Sequence, residues 1–396
     1  MRYKVFISAI AFFLLSTASH SLTIDSEIIK EIDECLSRGS ATTICEYPKD
    51  WRESNEPLHI ARNITWDTPA TLQLVSKEDI IFEKDAFIKS EGAGSLLLKA
   101  GMENQRSRDS GIGQGKVVFK GETPQVIFKE SGRIKVYYNP ELNPSDVEYS
   151  HKYHNPIDHE KHIAVSRPEN LESYMLVNDV YDLQDIVMSL SKNYALSQDI
   201  DASVTKTWGI EGFKPLKDAS KGKYGQPFSG TFDGSGYTIS NLYINRPDED
   251  KVGLFGMTGG FDTKPSQIKN LTLHNFRITG DHYVGSLIGF AVKTNLQYIT
   301  VSSPHVKGNA VVGGFVGTSH KMEANKILLH NLDASQINAS EYKGLICGTT
   351  TDSNYFLIPS ESLPQNIYGG DVSAISALGT FDTISSISIC IKNKHE

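Results

Sequence analysis

From Leu58 to Tyr138 apolar and polar residues alternate in short runs, punctuated by Gly, Asn, Asp and Ser. The runs are LHIARNITW, ATLQLVS, DIIFEKDAFIKS, GSLLLKAG, KVVFKG, QVIFKES and RIKVYYN. Alternate residues of an extended strand point to opposite faces. Leu72 and Leu74, or Ile134 and Val136, therefore share one face, with their polar neighbours on the other. The pattern predicts short strands at close spacing, with turns at the small polar residues. Residues 102–115, MENQRSRDSGIGQG, are polar and Gly-rich and read as an exposed loop between strands.

Helical spacing occurs twice. Ile28, Ile29, Ile32 and Leu36 recur at three-and-four intervals, with Gly39 placed to end a short N-terminal helix. Val180, Leu183, Ile186, Val187 and Leu190 do the same, with Asn178 or Asp179 as the N-cap. From residue 139 to 172 no apolar period survives, and four prolines and four of the 12 histidines fall there. That composition predicts a linker or irregular excursion over 141–172.

The second half repeats. KVGLFG ends at Gly256, YVGSLIG at Gly289, VVGGFVG at Gly317 and KGLICG at Gly348, at intervals of 33, 28 and 31 residues. Apolar strands precede them: TISNLYI, IKNLTLHNFRI, LQYITVSSPHV and ILLHNLDASQI. A period near 30, with short strands and a Gly turn in each unit, predicts an all-β solenoid in which each rung covers the apolar face of the one before. The glycines fit no phosphate loop, because no Lys-Ser/Thr follows them, and no dinucleotide fingerprint opening a helix. Gly285–Gly289 and Gly313–Gly317 are formally GxxxG, but polar flanks exclude a membrane-helix contact. The expected role of Gly253, Gly256, Gly285, Gly289, Gly313, Gly317, Gly344 and Gly348 is at rung corners, giving positive φ and close approach of backbones. Leu254, Leu287, Phe315 and Leu345 are then expected to point inward.

The N-terminus changes the setting. Arg2 and Lys4 precede an apolar run from Val5 to Leu15, and small residues follow at Ser16, Ala18, Ser19 and Ser21. This order predicts a secretory signal peptide over residues 1–21, and no second run of membrane-spanning length follows. Export is disulfide-permissive, so Cys35, Cys45, Cys347 and Cys390 are disulfide candidates. Pairing 35–45 with 347–390 is one of three connectivities, and buried free thiols near the C-terminus are the alternative. The formal charge of −8 (39 Lys+Arg against 47 Asp+Glu) argues against nucleic acid as a partner.

From about Tyr174 to Gly348 the chain resembles the GLUG-repeat region of bacterial filamentous-haemagglutinin-like adhesins. The residues that carry the likeness are YMLVNDVYDLQDIVMSLSKNYALSQDIDAS, GFKPL, FSGTFDGSGYTISNLYI and the four Gly-rich units. Residues from about Ile28 to Pro140, with NITWDTPATLQLVSKEDI and GRIKVYYNP, look like the segment that often precedes such repeats. The resemblance implies a right-handed parallel β-helix and a secreted or surface-exposed adhesive role, with no catalytic residues. It divides the mature chain into a haemagglutinin-like segment over 22–140, the linker, GLUG repeats over 173–350, and C-terminal strands or a cap over 351–396.

The remaining chemistry is sparse. His151, His154, His159 and His162, beside Asp158 and Glu160, are candidate zinc or copper ligands. HEKH is not HExxH, however, and solvated linker histidines are the simpler reading. Asp199 and Asp201 lack the further acids of a calcium loop and suit a strand end. Asp233, Asp248, Glu249, Asp250 and Asp281 fall at turns in no common register, Asp233 beside Gly234 and Gly236. Trp208, Tyr224, Tyr243 and Tyr283 suit either stacking on sugars or rung packing. The expectation is a non-enzymatic adhesin without cofactor or structural metal, secreted or on a bacterial cell surface (or periplasmic). Its partner would be a host or neighbouring-cell protein or glycan. The alternatives are a polysaccharide lyase or hydrolase on the same fold, and a secreted scaffold.

Overall fold

The computed structural model describes residues 22–103, 115–140, 153, 156–218, 220, 225–260, 264–331, 334–340, 342–344, 346–351, 353–358 and 391–392. The signal-peptide stretch, most of the 102–115 loop, His151, His154, Tyr224, Leu345 and Cys390 lie outside them.

The alternating runs form strands that return to the same sheets in turn. Leu58–Ile60, Ile64–Trp66 and Thr71–Ser76 each enter a different sheet, and Ile80–Phe82, Ile88–Ser90 and Ser95–Ala100 stack on them one for one. The ladders are parallel and in register: Leu58↔Ile80, Ile64↔Ile88, Leu72↔Leu96. The run LHIARNITW is thus two strands with a bend between, because its apolar positions must face inward on two sheets. One sheet, of 13 strands, extends from Ile44–Tyr47 to Asn354–Ile358. In-register stacking places like residues in columns. Ile64, Ile88, Val126 and Ile163 form one such column, and all four are buried. Each rung covers the apolar row of its neighbour, at roughly 25 cal/mol per Å² removed from water.

Both helices form where the spacing places them. Ser26–Ser37 begins at Asp25, whose carboxylate accepts from the amides of Glu27 and Ile28, and it buries Ile32 and Leu36 against the first rungs. The second is shorter than its apolar period: Val180–Asp185 is α-helical, capped by Asp179, and tightens to a 3-10 turn over Ile186–Ser189. Within the described part of the expected linker, Ile163–Val165 extends the column above and Pro168–Asn170 leads directly into the strand Leu171–Val177. That part belongs to the stack, since Ile163 supplies the buried residue its rung needs. Cys35 and Cys45 are disulfide-bonded, tying the helix to the first strand of the long sheet. Cys347 is also disulfide-bonded.

In the repeat region, Leu254, Leu287 and Phe315 are fully buried. The ladder Phe255↔Ile288, Ile288↔Val316, Val316↔Cys347 sets Gly256, Gly289, Gly317 and Gly348 in one column. Val252, Val284 and Val312 bridge likewise, which brings Gly253, Gly285 and Gly313 together, and Gly313 pairs with Gly344. None of these glycines takes the left-handed backbone expected of them, as the positive-φ positions lie elsewhere. What the column requires is contact. A Cβ on Gly317 would lie 2.6 Å from the Gly289 carbonyl oxygen and 2.5 Å from the Tyr283 carbonyl carbon, both in the preceding rung. The left-handed bends fall instead on Asn270, Tyr298 and Lys326 (φ 53°, 55° and 56°) and on Asn275, Ser303 and Asn331 (φ 54°, 51° and 47°). Asn270 and Tyr298 sit between the paired positions Lys269↔Gln297 and Leu271↔Ile299, in the middle of nine-residue strands. Each bend sends two successive side chains outward before alternation resumes, so one long strand turns a corner without losing its inward rows.

Candidate functional site

The outer face of the long sheet carries two rows that the alternation directs away from the core. Gln73, Leu97, Lys135 and Glu172 are in register in one, and Val75, Lys99, Tyr137 and Tyr174 in the other. Part of this face is covered. Trp51, Met102 and Leu176 bury Val75, Tyr137 and Tyr174 in a small apolar cluster outside the sheet, with the two tyrosine rings stacked 5.0 Å apart. Beside the cluster opens a cleft of about 560 Å³ whose wall includes Lys99, Arg133, Lys135, Asp233, Lys269 and Asn270.

Its polar groups are organised. Asp233 is buried, and its Oδ1 accepts from the Ser235 amide and from Asn270 Nδ2, both at 2.9 Å. Its Oδ2 lies 3.5 Å from Lys269 Nζ, which donates to the Tyr174 hydroxyl at 3.2 Å. Tyr174 in turn donates to Glu172, and Glu172 lies 3.8 Å from Lys135 Nζ. Burial raises the tyrosine pKa values, so Tyr137 and Tyr174 stay neutral donors. Burial also lowers the Lys99 ammonium. Lys135 is lowered by burial first and then by the neighbouring Lys269 charge. Arg133 is exposed at the rim. The wall thus presents four cations to one carboxylate, with Glu172 close by, on a chain of formal charge −8. Such a surface binds anions by charge-assisted hydrogen bonds.

The residues singled out in the sequence lie elsewhere, Asp233 excepted. Asp233 does shape its turn, but it also forms the cleft wall, a role invisible without its neighbours across the sheet. His159 is not a solvated linker residue: it is 2% exposed, packed edge-on against Tyr138 at 4.7 Å, and burial holds it down at about 4. His162 stacks on Phe119 at 5.0 Å. Asp199 accepts from the Thr238 amide, and Asp201 from the Ser203 amide and Asn241, so both carboxylates serve turns and rung contacts. Trp208 packs against Tyr181 and Phe213, and Tyr283 against Phe290, while Tyr298, which the sequence reading passed over, is 46% exposed. Among the described residues no helix is long and apolar enough to cross a membrane.

No family profile matches the chain, and no solved structure does. The chain is 38% identical over 147 residues to a protein named Halomucin from Haloquadratum walsbyi; the match covers 36% of this chain and 2% of that protein. It is 30% identical over 113 residues to a Gly-rich membrane protein of Evansella cellulosilytica, covering 28% of this chain and 12% of that one. The chain therefore matches a small part of the length of either relative.

Proposed function

We propose that this is an exported, non-enzymatic adhesin-like protein, a right-handed parallel β-helix with GLUG-type repeats that recognises a cell-surface protein or glycan. The observation that carries the reading is the continuous parallel sheet of 13 strands, whose outer face bears a polar cleft. A rigid stack of rungs holds many weak contacts in fixed register, and ordering the surface before binding removes part of the entropic penalty of association. The similarity to proteins named a halomucin and a Gly-rich membrane protein supports a place at the cell surface or outside it. The test uses purified residues 22–396, fluorescently labelled, on cultured cells and a glycan array beside an albumin control. Saturable binding above that control is expected. No binding on either, together with turnover of a polysaccharide, would replace the adhesin reading with a glycan-active enzyme.

A further inference from the structure

We infer that the cleft on the outer face of the long sheet binds an anionic saccharide, seated between Lys135 and Lys269 with Arg133 and Lys99 flanking it. This rests on the recognition role proposed above and names the chemistry of its ligand.

Four observations converge on that class. First, the wall carries a surplus of cations on an acidic chain, so the local charge is built by placement rather than inherited from composition. Second, the cations outnumber the carboxylates that meet them: Lys135 lies 3.8 Å from Glu172 and Lys269 lies 3.5 Å from Asp233. Among the described residues Lys99 meets the Tyr137 ring face at 5.6 Å but no carboxylate in ion-pair contact, and Arg133 meets none either. Lys135 lies close enough to Lys269 for that neighbouring charge, after burial, to disfavour its own, and an anion between them relieves that repulsion. Third, the rim adds neutral hydrogen-bonding groups, the hydroxyls of Thr71, Ser95 and Ser235 and the Asn270 amide, suited to the hydroxyl groups of sugars. Fourth, the wall draws on strands from Thr71–Ser76 to Ser266–His274, six strand steps along the sheet, or roughly 29 Å at about 4.8 Å each. That length suits an extended chain of sugars. The wall tyrosine, Tyr137, is 4% exposed, so no open aromatic plane is offered to a nucleic-acid base.

The test is biolayer interferometry of residues 22–396 against immobilised polygalacturonate, dextran sulfate, neutral dextran and polyglutamate, at low and high salt. Polygalacturonate or dextran sulfate is expected to bind, whichever wins identifying a carboxylate or a sulfate as the recognised anion, and binding should weaken as salt screens the pair. Lys135→Gln and Lys269→Gln should each weaken it about 10-fold, the loss of one charge-assisted contact. Arg133→Gln, at an exposed side chain that no fold contact needs, should weaken it several-fold and leave the melting temperature unchanged. That variant keeps the test valid if either lysine variant unfolds. The inference is overturned if neutral dextran binds equally, if polyglutamate binds as well as the acidic glycans, or if all three variants bind like the wild type. Cell binding that survives all three variants would overturn it and leave the adhesin reading standing. Release of new reducing ends from a bound acidic glycan would support the ligand class and overturn the non-enzymatic reading.

Discussion

Replacing Gly317 by Ala should destabilise the repeat region, although alanine is the better residue for most extended backbone. The methyl group would sit 2.5 Å from the Tyr283 carbonyl carbon, 2.6 Å from the Gly289 oxygen and 2.6 Å from the Val284 nitrogen. All three are main-chain atoms of the preceding rung, so no side chain can swing aside to make room. Overpacking of this kind costs about 1–3 kcal/mol. The smaller backbone entropy of alanine in the unfolded chain returns about 0.5–1 kcal/mol. Taking the middle of each range, the net loss is about 1.3 kcal/mol. With a urea dependence of about 3 kcal/mol per molar, the midpoint moves down by roughly 0.4 M. Circular dichroism of the strands is the appropriate signal. The three tryptophans, Trp51, Trp66 and Trp208, all precede the Gly-rich units, which begin at Lys251, and would under-report a local loss there. Asn325→Ala, at an exposed position of a neighbouring strand, serves as the control and should shift the midpoint by less than about 0.2 M. An unchanged midpoint in Gly317→Ala would refute close approach as the reason for glycine in this column.

Three further outcomes follow from the described contacts. His159 has a folded pKa of about 4 against about 6.5 unfolded, so the unfolded chain binds the extra proton between these values. Stability should fall as pH drops from 6.5 to 4, by up to about 3 kcal/mol, and His159→Gln should flatten that fall in urea midpoints taken across the range. Opening the Cys35–Cys45 bond as the double alanine variant releases a loop with ends ten residues apart, and calorimetry should show about 2–3 kcal/mol lost with the rest of the stack still folded. Asp25→Ala removes the cap that accepts from two amides of the first turn and should lower stability by about 1 kcal/mol, read as faster amide exchange over residues 27–30.

The strands of the N-terminal half were legible because alternation is a local property. Leu72 and Leu74 share a face whatever surrounds them, and the helix over Ser26–Ser37 follows from its apolar spacing and an aspartate before its first turn. The repeats were legible from the glycine spacing, but the physics of those glycines was not. An isolated chain shows only that glycine permits left-handed backbone. That Asn270, Tyr298 and Lys326 take the left-handed bends, while Gly317 is needed for its missing Cβ, depends on how rungs touch. His159 was misjudged for the same reason. A segment without apolar period reads as solvated, yet Tyr138 and Ser173 of the neighbouring strands cover its imidazole.

The sequence by itself determined the strand-rich class, the rung period and the helix that closes the first rungs. Each of these is written within about ten to thirty neighbouring residues, where side-chain direction and spacing act directly. Only the tertiary structure decided which residues form the cleft. Lys99, Lys135 and Lys269 are picked out by no motif, Asp233 only as a turn former, and long stretches of chain separate Lys99, Lys135 and the pair Asp233 and Lys269. They meet because stacking lays their strands in one sheet. The gathering of charge is set by the order and register of rungs, which local alternation leaves open.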